Sequence, residues 1–247
     1  MKTLIYLTDN SLAEPLASKC RDLLKRESKD IPIISVSQEP IDLGTNICVG
    51  KIGRSWLSLY KQMMKGIEAT TTPYLGICEH DCLYSNEHLA WIPPTTDTFY
   101  YNYNHWFVYW ADRHQGIRGM YSYIKRRHAL SQLVCSRDLL KQSIDERLCL
   151  LLNGYVMNRG LAGAGEPGVV DKIAIVKAQQ RASSGEPYQL QQFLHGAFTD
   201  FKSSSFETKI CNLDIRHNNN FTGQRRGKRR CYEMPYWGKF AELMEAA

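Results

Sequence analysis

The sequence has no Cys-x-x-Cys pair, no apolar run near membrane-spanning length, no internal repeat and no low-complexity tract. Its eight cysteines (Cys20, Cys48, Cys78, Cys82, Cys135, Cys149, Cys211, Cys231) are scattered mostly inside apolar segments, which excludes a disulfide framework and reads as reduced core thiols. The longest apolar patch, Leu148-Cys-Leu-Leu-Leu152, suits a core helix and not a membrane span. The opening Met1-Lys2, followed by Thr3 to Thr8, is too short for a leader peptide and lacks a small-residue cleavage site, so it reads as a first strand. A soluble, cytoplasmic protein is expected, and the Asn220-Phe-Thr222 sequon carries no weight without an export signal. Also missing are a Walker loop, a Gly-x-Ser-x-Gly elbow and a Gly-x-Gly-x-x-Gly fingerprint, which removes several enzyme classes.

What remains is a chain of 247 residues with 43% hydrophobic content, enough for one large α/β domain with a real core and a C-terminal elaboration. The net charge of +6 is uneven, because Arg225-Arg-Gly-Lys-Arg-Arg230 puts five cations in six residues and Lys125-Arg-Arg127 adds a second cluster. Such runs bind phosphates or are merely solvated loops.

Thr3 to Thr8 reads as a strand, Ser11 to Glu27 as an amphipathic helix capped by Asn10 or Ser11, and Ile31 to Val36 as a second strand. Ser55 to Ala69 carries Trp56, Leu59, Tyr60, Met63, Met64 and Ile67 at helical spacing. Thr70-Thr-Thr-Pro73 stops that helix, and Tyr74 to Cys78 is the next strand. The aromatic stretch Thr98 to Trp110 reads as strands of a small second sheet, Ala129 to Cys135 as a further strand and Arg137 to Leu152 as a helix. Gly160 to Gly168 is a loop around Glu166, and Asp171 to Gln180 and Gln189 to Gly196 are weaker, partly apolar segments.

The strand Tyr74 to Cys78 runs into Glu79-His80-Asp81, and in open α/β sheets ligands bind at that end of a strand. Buried carboxylates need a partner. Two of them separated by one residue can share a divalent cation, or divide the work between a cation and a ribose hydroxyl, with Mg²⁺ or Mn²⁺ suited to hard oxygen ligands. A closed zinc site built on Cys78, His80 and Cys82 is disfavoured, because a second ligand pair is missing and an extended strand turns those three away from Glu79 and Asp81.

Gln62-Met-Met-Lys-Gly-Ile-Glu-Ala-Thr-Thr-Thr-Pro-Tyr-Leu-Gly-Ile-Cys-Glu-His-Asp resembles the helix, strand and acidic DxD-type motif of GT-A-fold nucleotide-sugar glycosyltransferases of the family two type. Gly66, Ile67 and Ala69 match that pattern, Gln62 stands where asparagine is usual, and Glu79 replaces the first aspartate. The resemblance implies a GT-A-like single domain over residues 1–247, with a mostly parallel central sheet, flanking helices and a smaller second sheet. Residues 1–95 would bind the nucleotide sugar, 96–208 the acceptor, and 209–247 the metal and diphosphate. It implies a metal-dependent, inverting transferase using a nucleotide-diphosphate sugar, UDP-linked, with Mn²⁺ or Mg²⁺ held primarily by Asp81, with Glu79 and a histidine near the C-terminus, His217. Thr8, Asp9, Asn10, Arg54 and Ser55 would meet the nucleotide, as would Glu79, and Thr222 and Arg225 the diphosphate. The catalytic base falls to Glu166 over Asp145 and Glu146, since Lys141, Asp145 and Arg147 look like ordinary surface pairing on a helix.

For the acceptor, the basic run suggests hydroxymethylated pyrimidine in DNA, contacted through Arg225, Arg226, Lys228, Arg229 and Arg230, as in bacteriophage-type DNA glycosylation within a host cytoplasm. A glycan or lipid-linked saccharide is the alternative. A non-catalytic nucleic-acid-binding protein, with the acidic triplet as a structural cap, is the competing class.

Overall fold

The run Thr3-Leu-Ile-Tyr-Leu7 is apolar at consecutive positions, the pattern of a strand covered on both faces. A computed structural model of the chain, which describes residues 1–123, 128–152, 165–169, 199–220, 227 and 229–245, makes it β1 (Lys2–Thr8), buried along its whole length. β1 pairs in parallel with β2 (Ile33–Ser37) and with β4 (Tyr74–Glu79), and β2 pairs in parallel with β3 (Thr45–Cys48). Beyond β4 lies β9 (Leu133–Ser136), antiparallel both to β4 and to β6 (Thr98–Asn102), and β10 (Lys202–Phe206) runs parallel to β6 at the edge. The order β10-β6-β9-β4-β1-β2-β3 is the mostly parallel central sheet expected from the sequence.

A second, five-stranded sheet is joined to the end of β4. After a turn at His80 and Asp81 the chain enters β5 (Cys82–Leu83), which pairs antiparallel with β11 (Asn212–Arg216). β11 runs parallel to β7 (His105–Tyr109), followed by β8 (Tyr121–Tyr123) and β12 (Arg230–Cys231).

Helices cover the central sheet on both faces. α2 (Trp56–Glu68) and α4 (Arg137–Leu152) bury Met63, Ile67, Leu140 and Ile144 against Ile5, Leu7 and Ile77. Each such side chain contributes roughly 1.5–3 kcal/mol on burial. α2 lies so close to β1 that a Cβ at Gly66 would stand 2.6 Å from Ile5 Cγ2. The other face carries Leu4, Tyr6 and Cys78, and α1 (Leu16–Ser28) adds Leu24 there. The short α3 (Asn86–Ala90) follows β5, and α5 (Phe240–Glu245) packs Phe240 against the second sheet's core. Among the described residues no helix is long and apolar enough to cross a membrane.

Three sequence expectations are corrected. α1 begins at Leu16, not Ser11, because Asp9 Oδ1 accepts from Ser11 N at 3.0 Å and Ser11 Oγ at 2.6 Å while Asn10 takes φ 59°, which holds residues 9–11 in a loop. The aromatic stretch is divided between the sheets: β6 joins the central one and β7 the second, separated where Asn102 Oδ1 accepts from Asn104 N at 3.0 Å. The strand expected from Ala129 starts only at Leu133, after a 3₁₀ turn, Leu130–Gln132, whose buried Gln132 Oε1 accepts from Asn212 Nδ2 at 2.7 Å. The two weaker segments, 171–180 and 189–196, lie outside the described residues, as does Lys125 to Arg127.

Candidate functional site

β1, β2 and β4 end at one level, with Leu7 opposite Glu79 and Thr8 opposite Ser37. A cleft partly open to solvent, about 1000 Å³ when the open solvent at its mouth is included, lies at these carboxyl ends. That position follows from parallel pairing, which brings the loops after β1 and β4 to the same edge. Thr8, Asp9, Arg54, Ser55, Glu79, His80, Asp81 and Glu166 all line it.

β4 stops where the chain turns at His80 and Asp81. Glu79 N donates to the Tyr84 hydroxyl at 2.8 Å, and Ile215 N donates to Asp81 O at 2.7 Å, so the turn hands the chain to β11. The strand therefore does not stay extended through Asp81, and the alternation invoked against a zinc site ends at Glu79. Among the described residues the ligand atoms that converge are those of His80, Asp81 and His217, all within 4.8 Å of one another, and those of Glu79, Asp81 and Cys82. Neither set is the thiol-rich Cys78, His80 and Cys82 group.

Asp81 is the fixed anion. Burial alone would push its carboxyl up, but His217, with Nε2 at 3.4 Å from Oδ2, and the positive potential of His80 and Arg216 outweigh that and hold it down at about 2. Asn220 Nδ2 also donates to Asp81 Oδ2 at 2.9 Å. Glu79 moves the opposite way. Burial first, then Asp81, Asp214 and Glu166, raise its pKa well above the usual carboxylate range, with Arg216 opposing. Burial keeps His80 below its ordinary pKa against the pull of Asp81 and Asp9. Its Nδ1 lies 2.9 Å from Thr8 Oγ1 and 3.5 Å from Asp9 Oδ1.

The donor set of two imidazoles and one carboxylate suits Mn²⁺ better than Mg²⁺. With Nδ1 of His80 held by Thr8 and Asp9, the other ring nitrogen is the one left for a cation, the orienting arrangement common around metal-bound histidine. The residues present therefore fit a divalent transition ion, with His80 beside Asp81 and His217. The sequence expected Glu79 there, and Glu79 converges on Asp81 without His217.

The other expected residues divide. Asp9 is ionised: burial raises its pKa, and Ser11, His80 and Arg54 more than offset it. Arg54 Nε pairs with Asp9 Oδ2 at 2.6 Å, and its guanidinium also donates to the Asn219 carbonyl. Asn10 caps no helix; its Oδ1 accepts from Gln38 N and Glu39 N, both at 2.9 Å, which ties the β1 loop to the end of β2. Ser55 Oγ caps α2, accepting from Ser58 N at 3.1 Å. Gln62 Nε2 bridges the ends of β1 and β2, donating to Thr8 O at 2.8 Å and Val36 O at 3.1 Å. Thr222, Arg225, Arg226 and Lys228 lie outside the described residues, while Arg229 and Arg230 are exposed.

Glu166 reaches the cleft from a loop that α4 holds. Arg147, expected on the helix surface, is instead fully buried and donates to Glu166 O at 2.7 Å and Val169 O at 3.4 Å. The reason is its neighbour: Ser143, one turn earlier, faces inward and accepts from Arg147 Nη1 at 2.7 Å. Asp145 pairs with Lys141 at 2.7 Å in the exposed position expected, and Glu146 accepts from Thr199. Neither lines the cleft.

Asp214, Arg216, Trp56 and Asn220 also line the cleft and were not anticipated. For Asp214 and Arg216 a signal existed, since alternation in the strand-like segment Leu213 to His217 puts both on one face.

No family model matches the chain, and no curated protein matches it in sequence. Among solved structures it is similar to the bifunctional IspDF from Campylobacter jejuni, with TM-score 0.36 and 13% identity over 60% of this chain and 44% of that one. It is also similar to the mannosyltransferase PcManGT from Pyrobaculum calidifontis in complex with GDP-Man and Mn²⁺, with TM-score 0.38 and 13% identity over 79% of this chain and 70% of that one. The chain spans less than half the length of the first, and at such scores its function rests on the chemistry of its own site.

Proposed function

We propose that the chain is a GT-A-like, metal-dependent glycosyltransferase that moves a sugar from a nucleotide-diphosphate donor, UDP-linked and with inversion, to a hydroxyl acceptor. The observation that carries this reading is Asp81: a carboxylate held ionised at the tip of a parallel strand, beside two imidazoles, on the wall of a cleft open to solvent at the carboxyl ends of the sheet. A divalent cation held by Asp81, His80 and His217 supplies, when bound, the positive charge that stabilises a diphosphate leaving group.

The chain's own residues do the rest. Residues 1–95 form the donor half: Trp56 and Leu59, with Leu130 from beyond it, give the cleft an apolar wall for a base, and Thr8, Asp9, Arg54 and Ser55 shape the polar end, while Asn10 ties the β1 loop in place behind them. Glu79, kept protonated by its neighbours, is a hydrogen-bond donor to a hydroxyl or phosphate oxygen and not a second anion. Residues 96–208 form the acceptor half. There Glu166 takes the proton of the acceptor hydroxyl as its oxygen attacks the anomeric carbon and the bond from that carbon to the phosphate oxygen breaks. Such a base contributes roughly a hundred- to ten-thousand-fold in rate. In residues 209–247, His217 completes the metal set, and Thr222 and Arg225 are assigned to the diphosphate. The acceptor proposed is hydroxymethylated pyrimidine in DNA, on the strength of the basic run ending in the exposed Arg229 and Arg230.

The test is thermal shift with Mn²⁺ and a panel of UDP and GDP, followed by release of nucleoside diphosphate from the matching sugar conjugates. Joint stabilisation by ion and nucleotide, lost in Asp81→Asn, is the expected result. Stabilisation by DNA alone, with no response to nucleotide, would defeat the transferase and leave a binding module.

A further inference from the structure

β11 alternates, so Leu213 and Ile215 face the apolar core while Asp214 and Arg216 face the cleft. Register fixes where they stand. Asp214 lies opposite Cys82, the residue after Asp81, on one side, and opposite Phe107 on the other. Arg216 Nη2 meets Asp214 Oδ2 at 2.8 Å, and its guanidinium sits over the Phe107 ring, 3.5 Å from the centroid. His105 Nε2 stands 3.6 Å behind Asp214. The two side chains are only 3% and 13% exposed for Arg216 and Asp214, yet both line the cleft.

Fold stability is a poor reason for this pair. A buried ion pair gains little over apolar residues of the same volume, because desolvation offsets the attraction. Here it also adds one more carboxylate to a wall that already holds Glu79, Asp81 and Glu166. What the arrangement does provide is a rigid acceptor and donor of fixed orientation. The strand is hydrogen-bonded on both sides, and the guanidinium is held by the ring beneath it. A carboxylate beside a guanidinium is the chemistry that reads the hydroxyls of a sugar, with the oxygen accepting from one hydroxyl and the N–H donating to its neighbour.

We propose that Asp214 and Arg216 form the subsite for the transferred sugar, reading its ring hydroxyls next to the Asp81 anchor and so setting which sugar nucleotide is used. This rests on the glycosyltransferase reading and deepens it. The pair touches the sugar and not the nucleotide, so it contributes to the preference for a sugar nucleotide over the bare diphosphate. Hydrogen bonds from hydroxyls to a charged partner are each worth about ten- to a hundred-fold in affinity.

The experiment compares, by calorimetry in Mn²⁺, UDP with UDP-glucose, UDP-galactose and UDP-N-acetylglucosamine, and GDP with GDP-mannose, using whichever nucleotide stabilises the protein. The wild type is expected to bind one conjugate more tightly than its diphosphate. In Asp214→Asn and in Arg216→Lys that preference falls about ten- to a hundred-fold, and in Arg216→Lys, which keeps the charge beside Asp81, the affinity for the diphosphate holds. Near-UV circular dichroism checks the fold, and the charge-preserving Arg216→Lys serves if Asp214→Asn does not fold. If the diphosphate binds and the preference survives both changes, or is absent in the wild type, this inference is overturned and the transferase reading stands. If neither diphosphate nor conjugate binds with Mn²⁺, both fall together.

Discussion

Replacing Arg147 by methionine keeps an unbranched stem and removes its guanidinium. In the native protein that group donates to Ser143 O at 3.1 Å, Ser143 Oγ at 2.7 Å, Glu166 O at 2.7 Å and Val169 O at 3.4 Å, from a position with no solvent exposure. Methionine leaves two loop carbonyls without this donor in a place water does not reach. Breaking a buried charged network by deleting one member costs about 3–5 kcal/mol. Unfolding entropy near 2.1 cal/mol/K per residue gives about 0.5 kcal/mol/K over 247 residues, so Tm should fall by about 6–10 °C. The same change frees the loop that carries Glu166, so turnover should drop more than the affinity for nucleotide, whose proposed residues lie at the ends of β1 and β4 and before α2. Calorimetry and a donor-binding isotherm read the two effects separately. A Tm within about 2 °C of wild type, or a full loss of stability with unchanged turnover, would refute the claim that Arg147 is the strut of the Glu166 loop.

Other outcomes follow from single contacts. Lys2, whose pKa burial lowers to about 8 from 10.5, against a smaller pull from Cys78, donates to Trp91 O at 2.7 Å. Between those two values the unfolded chain binds the extra proton, so this lysine's contribution makes stability rise with pH, by about 1 kcal/mol from pH 7 to 9. Thiols that burial pushes up, Cys20 and Cys78 among them, act oppositely above pH 9, so the readout is the difference in denaturant stability between wild type and Lys2→Met across that range. Gly66→Ala should cost about 1–3 kcal/mol by overpacking α2 on Ile5, and an unchanged urea midpoint would show that the helix can shift freely. Asn220→Ala removes an amide that competes with a cation for Asp81 Oδ2, so Mn²⁺ should bind several-fold more tightly in titration; weaker binding would make Asn220 a ligand instead. Sugar transfer to hydroxymethylated DNA should decline steeply between 50 and 200 mM salt, and transfer confined to glycans would remove the DNA acceptor.

How far the sequence spoke depends on which force placed each residue. The helix over Trp56–Glu68 was readable because its apolar period and its serine cap agree, and α4 matched its expected bounds at both ends. The start of α1 was not, since Asp9 spends its side chain on Ser11 and so wins residues that propensity assigns to the helix. Arg147 was misplaced for a related reason. Spacing with Asp145 suggested a surface pair, but an inward Ser143 and two loop carbonyls some twenty residues later are what take the guanidinium, and no local pattern records them. His80 was read by alternation as facing away from Asp81, which holds only while a strand stays extended; the turn into β5 brings both to one side.

The acidic triplet thus resolves into unequal parts. Four carboxylates, Glu79, Asp81, Glu166 and Asp214, share one wall, and they cannot all carry charge at close range without partners. Asp81 has His217 and the neighbouring positive potential and stays anionic, while Asp214 is paired with Arg216. Glu79 receives what is left. Desolvated and facing three other acids, it is cheaper to protonate than to ionise. One residue of separation in the sequence therefore shifts the two carboxyls in opposite directions, because Asp81 sits at the turn, where His217, Asn220 and Arg216 offset its burial, and Glu79, two residues earlier, has burial and three acids against Arg216. A cation arriving at this wall would meet the anion already formed at Asp81.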